Sequence, residues 1–274
     1  MTVDWSAVAP QWDSHRADVE AMKTELTAQL LAGLEPLAGR RVLELGAGTG
    51  ELAARLADAV GPDGSVLASD VADGMVRLLE ARLGALPGLD TAQIDTAQID
   101  AASIPLPDAS VDVVVFRMGL MLMTEPEVAL QEMRRVLRPG GRIAVAVWGG
   151  PQDNPWMVTV GMAAMMQGLV QGGPPLGPGG PFSLADPVEL EKLVRGAGFS
   201  EVSVVAVDST RRFNDAAQHL DVVRALAPHL SEALSRASAE QLAAVRQTVA
   251  DLTAKYRSDD GLDLPSRAVL CIAA

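Results

Sequence analysis

Arg41-Val42-Leu43-Glu44-Leu45-Gly46-Ala47-Gly48-Thr49-Gly50-Glu51 is the stretch that decides the fold. The apolar run Val42 to Leu45 predicts a buried parallel strand. Three glycines at alternating positions close it, and Glu51-Leu52-Ala53-Ala54-Arg55-Leu56 opens a helix whose leucines stand four apart. Strand, glycine loop and helix in this order begin a nucleotide-binding βαβ unit. Gly46 permits the tight turn; Gly48 and Gly50 are expected to remove side chains where a ligand approaches the backbone.

The spacing speaks to the kind of ligand. A dinucleotide loop, G-x-G-x-x-G, carries its third glycine five positions after the first. Here that position is Glu51, and the glycine comes one residue early, at Gly50. A carboxylate in the first helical turn repels a pyrophosphate docked on that helix end but not a phosphate-free cation. Glu44 adds a second acid beside the loop, so the pattern favours a cationic nucleoside over NAD or FAD. Glu44-Leu45-Gly46-Ala47-Gly48-Thr49-Gly50 resembles the first motif of the class I S-adenosylmethionine (SAM) methyltransferases. The resemblance implies a Rossmann-like sheet, bound SAM and a sulfonium methyl donor, with Ala47 among the cofactor contacts.

Outward from the loop, Gly61-Pro62-Asp63-Gly64 reads as a turn and Ser65 to Ser69 as the second strand, ending at Asp70. Asp70 lies 20 residues past Gly50, and an acid at this strand end suits both hydroxyls of a ribose. The resemblance places Val71 and Met75 against adenine. Thr91-Ala92-Gln93-Ile94-Asp95 repeats directly as Thr96-Ala97-Gln98-Ile99-Asp100. Five is odd, so sliding by one copy turns the inward face outward; one copy is expected as the third strand and the other as loop. Asp100-Ala101 followed by Ile104-Pro105-Leu106-Pro107 resembles the family's D-A-x-x-L-P motif, which implies that Asp100 and Ala101 hold the adenine edge.

Asp112 to Phe116 reads as a central fourth strand. From its carboxyl end emerge Arg117, Met118 and Met121; the resemblance sets Arg117 beside the methionine part of the cofactor. The methionines are either core fillers or walls of an apolar acceptor pocket. Thr124-Glu125-Pro126-Glu127 predicts a capping box and a helix through Leu130, Met133 and Leu137 to Pro139, with Arg134, Arg135 and Arg138 capping its end. Arg134 to Gly141 and the strand Arg142 to Trp148 again resemble the methyltransferase core.

Composition narrows the class further. A chain of 274 residues, 49% hydrophobic, can bury a full core, and a net charge of −13 argues against nucleic acid as substrate. Cys271 stands alone and His15, His219 and His229 are scattered, so neither disulfide nor metal is expected. Without a signal peptide or membrane span, a cytoplasmic location and a monomer or homodimer are expected.

Residues 1–36 are expected as a helical lid with Val19, Met22, Leu26, Leu30 and Leu34 at helical spacing; 37–150 as the SAM-binding core; 151–182 as a Gly/Pro-rich lid carrying a helix from Trp156 to Val170; and 183–274 as the rest of the sheet. Within the last segment a helix follows Asp186, a strand runs Val202 to Val207, two helices fill 214–257, and Ala268 to Ala273 closes the sheet. The fold class is α/β: a Rossmann-like, seven-stranded, mostly parallel sheet with helices on both faces plus helical lids. The resemblance makes the last strand antiparallel. Trp12 and Trp156 are candidate acceptor contacts, His15 is a candidate base in the leader, and His219 and His229 read as solvent or core residues.

Together the motifs most resemble the ubiquinone/menaquinone-biosynthesis type of methyltransferase, implying SAM and a small hydrophobic or aromatic acceptor. The alternatives are a SAM-fold protein that does not methylate, such as a cyclase or ligand-binding subunit, and an NAD-dependent oxidoreductase.

Overall fold

The structure, a computed structural model, describes residues 4–85, 94–173 and 176–274. Three short helices lead the chain: α1 (Trp5–Ser14), α2 (Arg16–Ala21) and α3 (Thr24–Leu34). β1 (Arg41–Leu45), α4 (Glu51–Val60), β2 (Ser65–Asp70), α5 (Asp73–Leu83), β3 (Ile94–Gln98), β4 (Val111–Arg117), α6 (Pro126–Val136) and β5 (Leu137–Trp148) form the alternating core. After it come α7 (Pro155–Met166), α8 (Pro187–Gly196), β6 (Val202–Phe213), α9 (Ala216–Leu226), α10 (Pro228–Ser235), α11 (Ala239–Thr253), β7 (Arg257–Ser258) and β8 (Gly261–Ala273).

The sheet runs β3-β2-β1-β4-β5-β8-β6, with the two-residue β7 paired to β8. β1 through β5 pair in parallel, and β8 lies antiparallel between β5 and β6. Strand order reverses between β1 and β4, where Leu45 pairs with Phe116. Open α/β sheets bind ligands in the crevice beyond such a reversal. The seven expected strands are present; β7 is an eighth.

Alternation along the strands sorts the core. Leu43, Leu45, Val114, Phe116, Ile143 and Val145 face Leu130 and Met133 of α6 and Leu190 of α8. Val42, Val113, Val115, Ala144 and Ala146 face Leu30 and Leu34 of α3, Leu52 and Leu56 of α4, and Leu79 of α5. Two buried faces explain why these strands read as continuous apolar runs.

Several boundaries differ from expectation, each for a local reason. The leader is three helices because Ser14 Oγ bonds back to the Gln11 carbonyl and His15 and Lys23 leave helical geometry. β3 straddles the tandem repeat: Val66 to Asp70 of β2 select Ile94 to Gln98, taking residues from both copies. Ile94 and Ile99 then bury on opposite faces, as their odd spacing requires. Thr91 to Gln93 lie outside the described residues.

Thr124 forms no capping box; Glu125 precedes α6 without a side-chain cap bond. α6 ends at Val136 because Leu137 already pairs with Val111, and Pro139-Gly140-Gly141 sit in an irregularity before Arg142 pairs with Val113. Arg134 and Arg135 lie in the last turn, where their charge complements the dipole, and Arg138 falls beyond it, but the side chains reach other segments. Arg135 ties Glu132 and Asp108 to the Ile104 and Leu106 carbonyls, Arg138 pairs with Asp112, and Arg134 lies over the Phe199 ring. α7 stops at Met166, where Gly168 (φ 70°) carries the left-handed turn that ends it. Residues 214–257 hold three helices, broken before Pro228.

Gly50 has φ 88°, and a Cβ there would stand 2.5 Å from Leu79 Cδ1. Its missing side chain thus serves helix packing against α5, not ligand approach. Gly50→Ala is expected to lose about 2–3 kcal/mol from left-handed strain and overpacking, read as a lower urea midpoint.

Candidate active site

The glycine loop and the end of β2 are wired together. Gly46 and Gly48 take left-handed φ of 62° and 56°. The Ala47 amide donates to the Ser69 carbonyl (2.8 Å), and Ser69 Oγ donates to the Glu44 carbonyl (2.7 Å). Asp70 accepts from the Gly48 amide through Oδ2 and from the Ala72 amide through Oδ1, each at 3.0 Å. Burial raises the pKa of this carboxyl, and the amides it accepts from oppose that rise.

The surroundings fit an adenine nucleoside. A Cβ at Gly48 would meet nothing within 4 Å, so space opens before its backbone. Val71 is 51% exposed beside it. The Ile99 amide donates to the Asp70 carbonyl and Gln98 Nε2 to the Val71 carbonyl, which brings the buried Ala101 and exposed Asp100 to the same end of the sheet. Asp100 keeps one oxygen on the Ala102 amide. Met75 is not open as expected: Ala9, Trp5 and Trp12 of α1 cover it, and the Gly74 amide donates to Ser6 Oγ.

A buried charge cluster lies behind the loop. Alternation places Glu44 and Arg117 on the same face of the sheet as Val113 and Val115. Arg117 does not point at a methionine site. Its guanidinium clasps both oxygens of Glu20 on α2 at 3.0 Å and donates to Thr27 Oγ1 at 2.8 Å. Burial opposes ionisation of Glu20, but the Lys23 and Arg117 cations outweigh it and hold its pKa at about 2. Burial and the Arg117 charge push Lys23 down to about 8, against the pull of Glu20. Burial drives Glu44 up to about 8, against the pull of Arg117, and its Oε2 has no partner.

The loop is therefore less acidic than its sequence suggests. Glu51 accepts from Thr49 Oγ1 at 2.7 Å and is flanked by Arg16 (3.4 Å) and Arg82, so its charge is compensated. The early third glycine and the order of motifs carry the case against a dinucleotide better than the two acids do.

Glu44 also sets a pH dependence. Its folded pKa stands above its unfolded one, so the stability linked to its protonation is full below about 4.5 and lost as pH rises through about 8. Glu44→Gln is expected to gain on wild type by on the order of 1–3 kcal/mol between pH 5 and 8.5. Parallel urea melts across that range check it.

On the acceptor side, Met118 closes β4 with φ 66°, strained for a non-glycine residue, and its amide donates to the Ala146 carbonyl. Met121 is core, not pocket wall: it is 2% exposed among the α6 and α8 side chains. Trp156 is buried, donates Nε1 to Ser266 Oγ (3.1 Å) and packs edge-on against Trp148 (5.5 Å). Trp12 is half-buried, edge-on to Trp5. His15 Nδ1 lies 3.0 Å from Ser14 Oγ and 3.2 Å from the Gln11 carbonyl, a local helix-end contact. His229 is exposed, whereas His219 is fully buried. Sequence reading missed Glu20 and Arg211, whose neighbours come from distant segments. Among the described residues no group of three or more His, Cys, Asp or Glu could hold a metal, and no helix is long and apolar enough to cross a membrane.

A parallel sheet with a glycine loop and an acid-ended second strand at its reversal point defines a Rossmann-like nucleoside-binding protein. Residues 42–141 match the family model described as a methyltransferase domain. Over these residues the chain is similar to methyltransferase domains.

It is 39% identical over 130 residues to the ubiquinone/menaquinone biosynthesis C-methyltransferase UbiE of Ectopseudomonas mendocina, covering 47% of this chain and 49% of that one. The chain spans about half the length of the curated relatives it matches. In fold it resembles a SAM-dependent methyltransferase from Aquifex aeolicus (TM-score 0.54, 24% identity, covering 74% of this chain and 93% of that one). It likewise resembles the [4+2]-cyclase SpnF (TM-score 0.55, 23% identity, 90% and 79%).

Proposed function

We propose that the chain transfers a methyl group from SAM to a small, apolar or aromatic acceptor. The observation that carries this reading is the Asp70 carboxylate joined to the Gly48 amide beside open space, within a domain matched to methyltransferases. In this reading Asp70 keeps lone pairs for ribose hydroxyls, Asp100 and Ala101 meet the adenine edge, and Val71 covers the ring. When bound, SAM supplies a methyl carbon already activated by a positive sulfur.

The chain's own part is alignment and exclusion of water. α1 and α2 supply the cover: α1 seats on Gly74 and Met75, and α2 is pinned to the sheet by Glu20 and Arg117. The half-buried Met118, Trp12 and Trp148 supply apolar surface for the acceptor, with the buried Trp156 ring packed behind Trp148. An activated aromatic carbon needs no dedicated base. The contacts of His15 with Ser14 and Gln11 support a structural role at the helix junction, and His15→Ala is expected to keep kcat within about twofold at every pH.

The test is methyl transfer itself. Purified protein is incubated with methyl-tritiated SAM and a panel of phenols, hydroquinones and aromatic acids. Label moving to an organic product together with S-adenosylhomocysteine supports the proposal. SAM binding without S-adenosylhomocysteine release from any acceptor favours the non-methylating alternative.

A further inference from the structure

Arg211, on β6, is 4% exposed and yet has no carboxylate within ion-pairing distance among the described residues. Its one protein partner is the Asp18 carbonyl, 3.3 Å from Nη1, and Nε has none. The guanidinium carbon lies 4.8 Å from the centre of the Trp156 ring and 5.5 Å from that of Phe213. The neighbouring arginines are handled differently. Arg212 pairs with Asp263 and Arg267 with Asp208 at the surface, and the buried Arg117 is clasped by Glu20. Desolvating a guanidinium with no carboxylate in direct contact is costly, and burial pulls its pKa down to about 9, against the opposing pull of the Asp18 charge.

Two further buried polar atoms border the same cluster without a partner: His219 Nδ1 and Trp12 Nε1. The His219 ring leans on Phe213 at 4.7 Å and directs Nε2 to the Trp156 carbonyl at 2.7 Å. A carbonyl can only accept, so Nε2 carries the hydrogen and a neutral ring leaves Nδ1 as an acceptor. Arg211 and His219 thus meet on the Phe213 ring and at Trp156, in the apolar cluster that also holds Trp12, and each of the three keeps a buried polar atom without a partner.

We infer that Arg211 binds a carboxylate on an aromatic methyl acceptor, with His219 Nδ1 and Trp12 Nε1 available to other polar atoms of the same molecule. A planar guanidinium with unused donors matches a carboxylate edge, and the tryptophan and phenylalanine rings match an aromatic body. α2 connects this site to the cofactor end: Asp18 covers Arg211, and Glu20, two residues on, clasps Arg117. The acceptor's acid takes the place of the Asp18 carbonyl, so the leader helix lifts to admit it. This inference rests on the methyltransferase reading above.

The test uses the full chain saturated with S-adenosylhomocysteine and follows tryptophan fluorescence with benzoate, 4-hydroxybenzoate, cinnamate and 2-naphthoate, each against its methyl ester. At least one acid is expected to bind at least about tenfold tighter than its ester. In Arg211→Met that preference is expected to vanish while affinity for S-adenosylhomocysteine is kept. The methionine replaces the buried charge with an apolar chain of similar volume, so the melting temperature is expected to hold or rise. If no acid is preferred over its ester by wild type, the inference fails, whatever the variant does. It fails equally if Arg211→Met keeps the preference, or if it melts well below wild type with acid binding intact. Absence of S-adenosylhomocysteine binding in wild type overturns the methyltransferase reading instead, which separates the two failures.

Discussion

Asp70→Ala is expected to bind S-adenosylhomocysteine about 30- to 100-fold more weakly than wild type. The carboxylate accepts from the Gly48 and Ala72 amides, holding the loop after β1 to the loop after β2. Alanine leaves both amides without that partner and removes the acceptor proposed for the ribose. Charge-assisted hydrogen bonds are worth about 1.5–3 kcal/mol each, so losing ribose contacts and loop order together reaches this range. Asp70→Asn retains one acceptor oxygen and is expected to fall between the two. Isothermal titration measures all three, and equal affinity across the series would remove Asp70 from the cofactor site.

The second large effect belongs to the ion cluster. Arg117→Ala leaves the half-buried Glu20 beside Lys23 alone and Thr27 without its donor. Breaking one side of a buried ion pair costs about 3 kcal/mol or more, whereas replacing both partners by apolar groups is close to neutral. Arg117→Ala is therefore expected to unfold at markedly lower urea, and Glu20→Leu/Arg117→Met to recover most of that loss. Glu20 fixes the sign with pH. Its folded pKa of about 2 lies below its unfolded value of 4.5, so its contribution is full above about 4.5 and lost as pH falls toward 2. The gap between wild type and Arg117→Ala should narrow over that interval. A gap of the same size at pH 2.5 and pH 6 would show that the pair is not what holds α2 to the sheet.

What the sequence disclosed follows from the range over which each signal acts. The glycine loop, Asp70 at its strand end and the Asp100-Ala101 motif are local patterns, and their order along the chain was enough to give the class of sheet. Leu43 and Leu45 alternate with Val42 and Glu44, so the two buried faces were legible in the strand itself. The tandem repeat misled because pairing with Val66 to Asp70, not the boundary between copies, selects the strand. The arginines after Met133 misled for a related reason: their partners, Asp108, Asp112 and Phe199, come from other segments. Alternation could have put Arg117 and Glu44 on one face, but no local pattern points to Glu20. Arg211 reads in sequence like the surface arginine that follows it. Only packing against Trp156 and Phe213 distinguishes it.

The central claim is that the loop from Gly46 to Gly50, with Asp70, receives a SAM-type nucleoside and not a dinucleotide. Calorimetric titration of the full chain with S-adenosylhomocysteine and, separately, with NAD+ tests it directly. Saturable one-site heat with S-adenosylhomocysteine and none with NAD+ is the predicted result; firm binding of NAD+ with no heat from S-adenosylhomocysteine would contradict it.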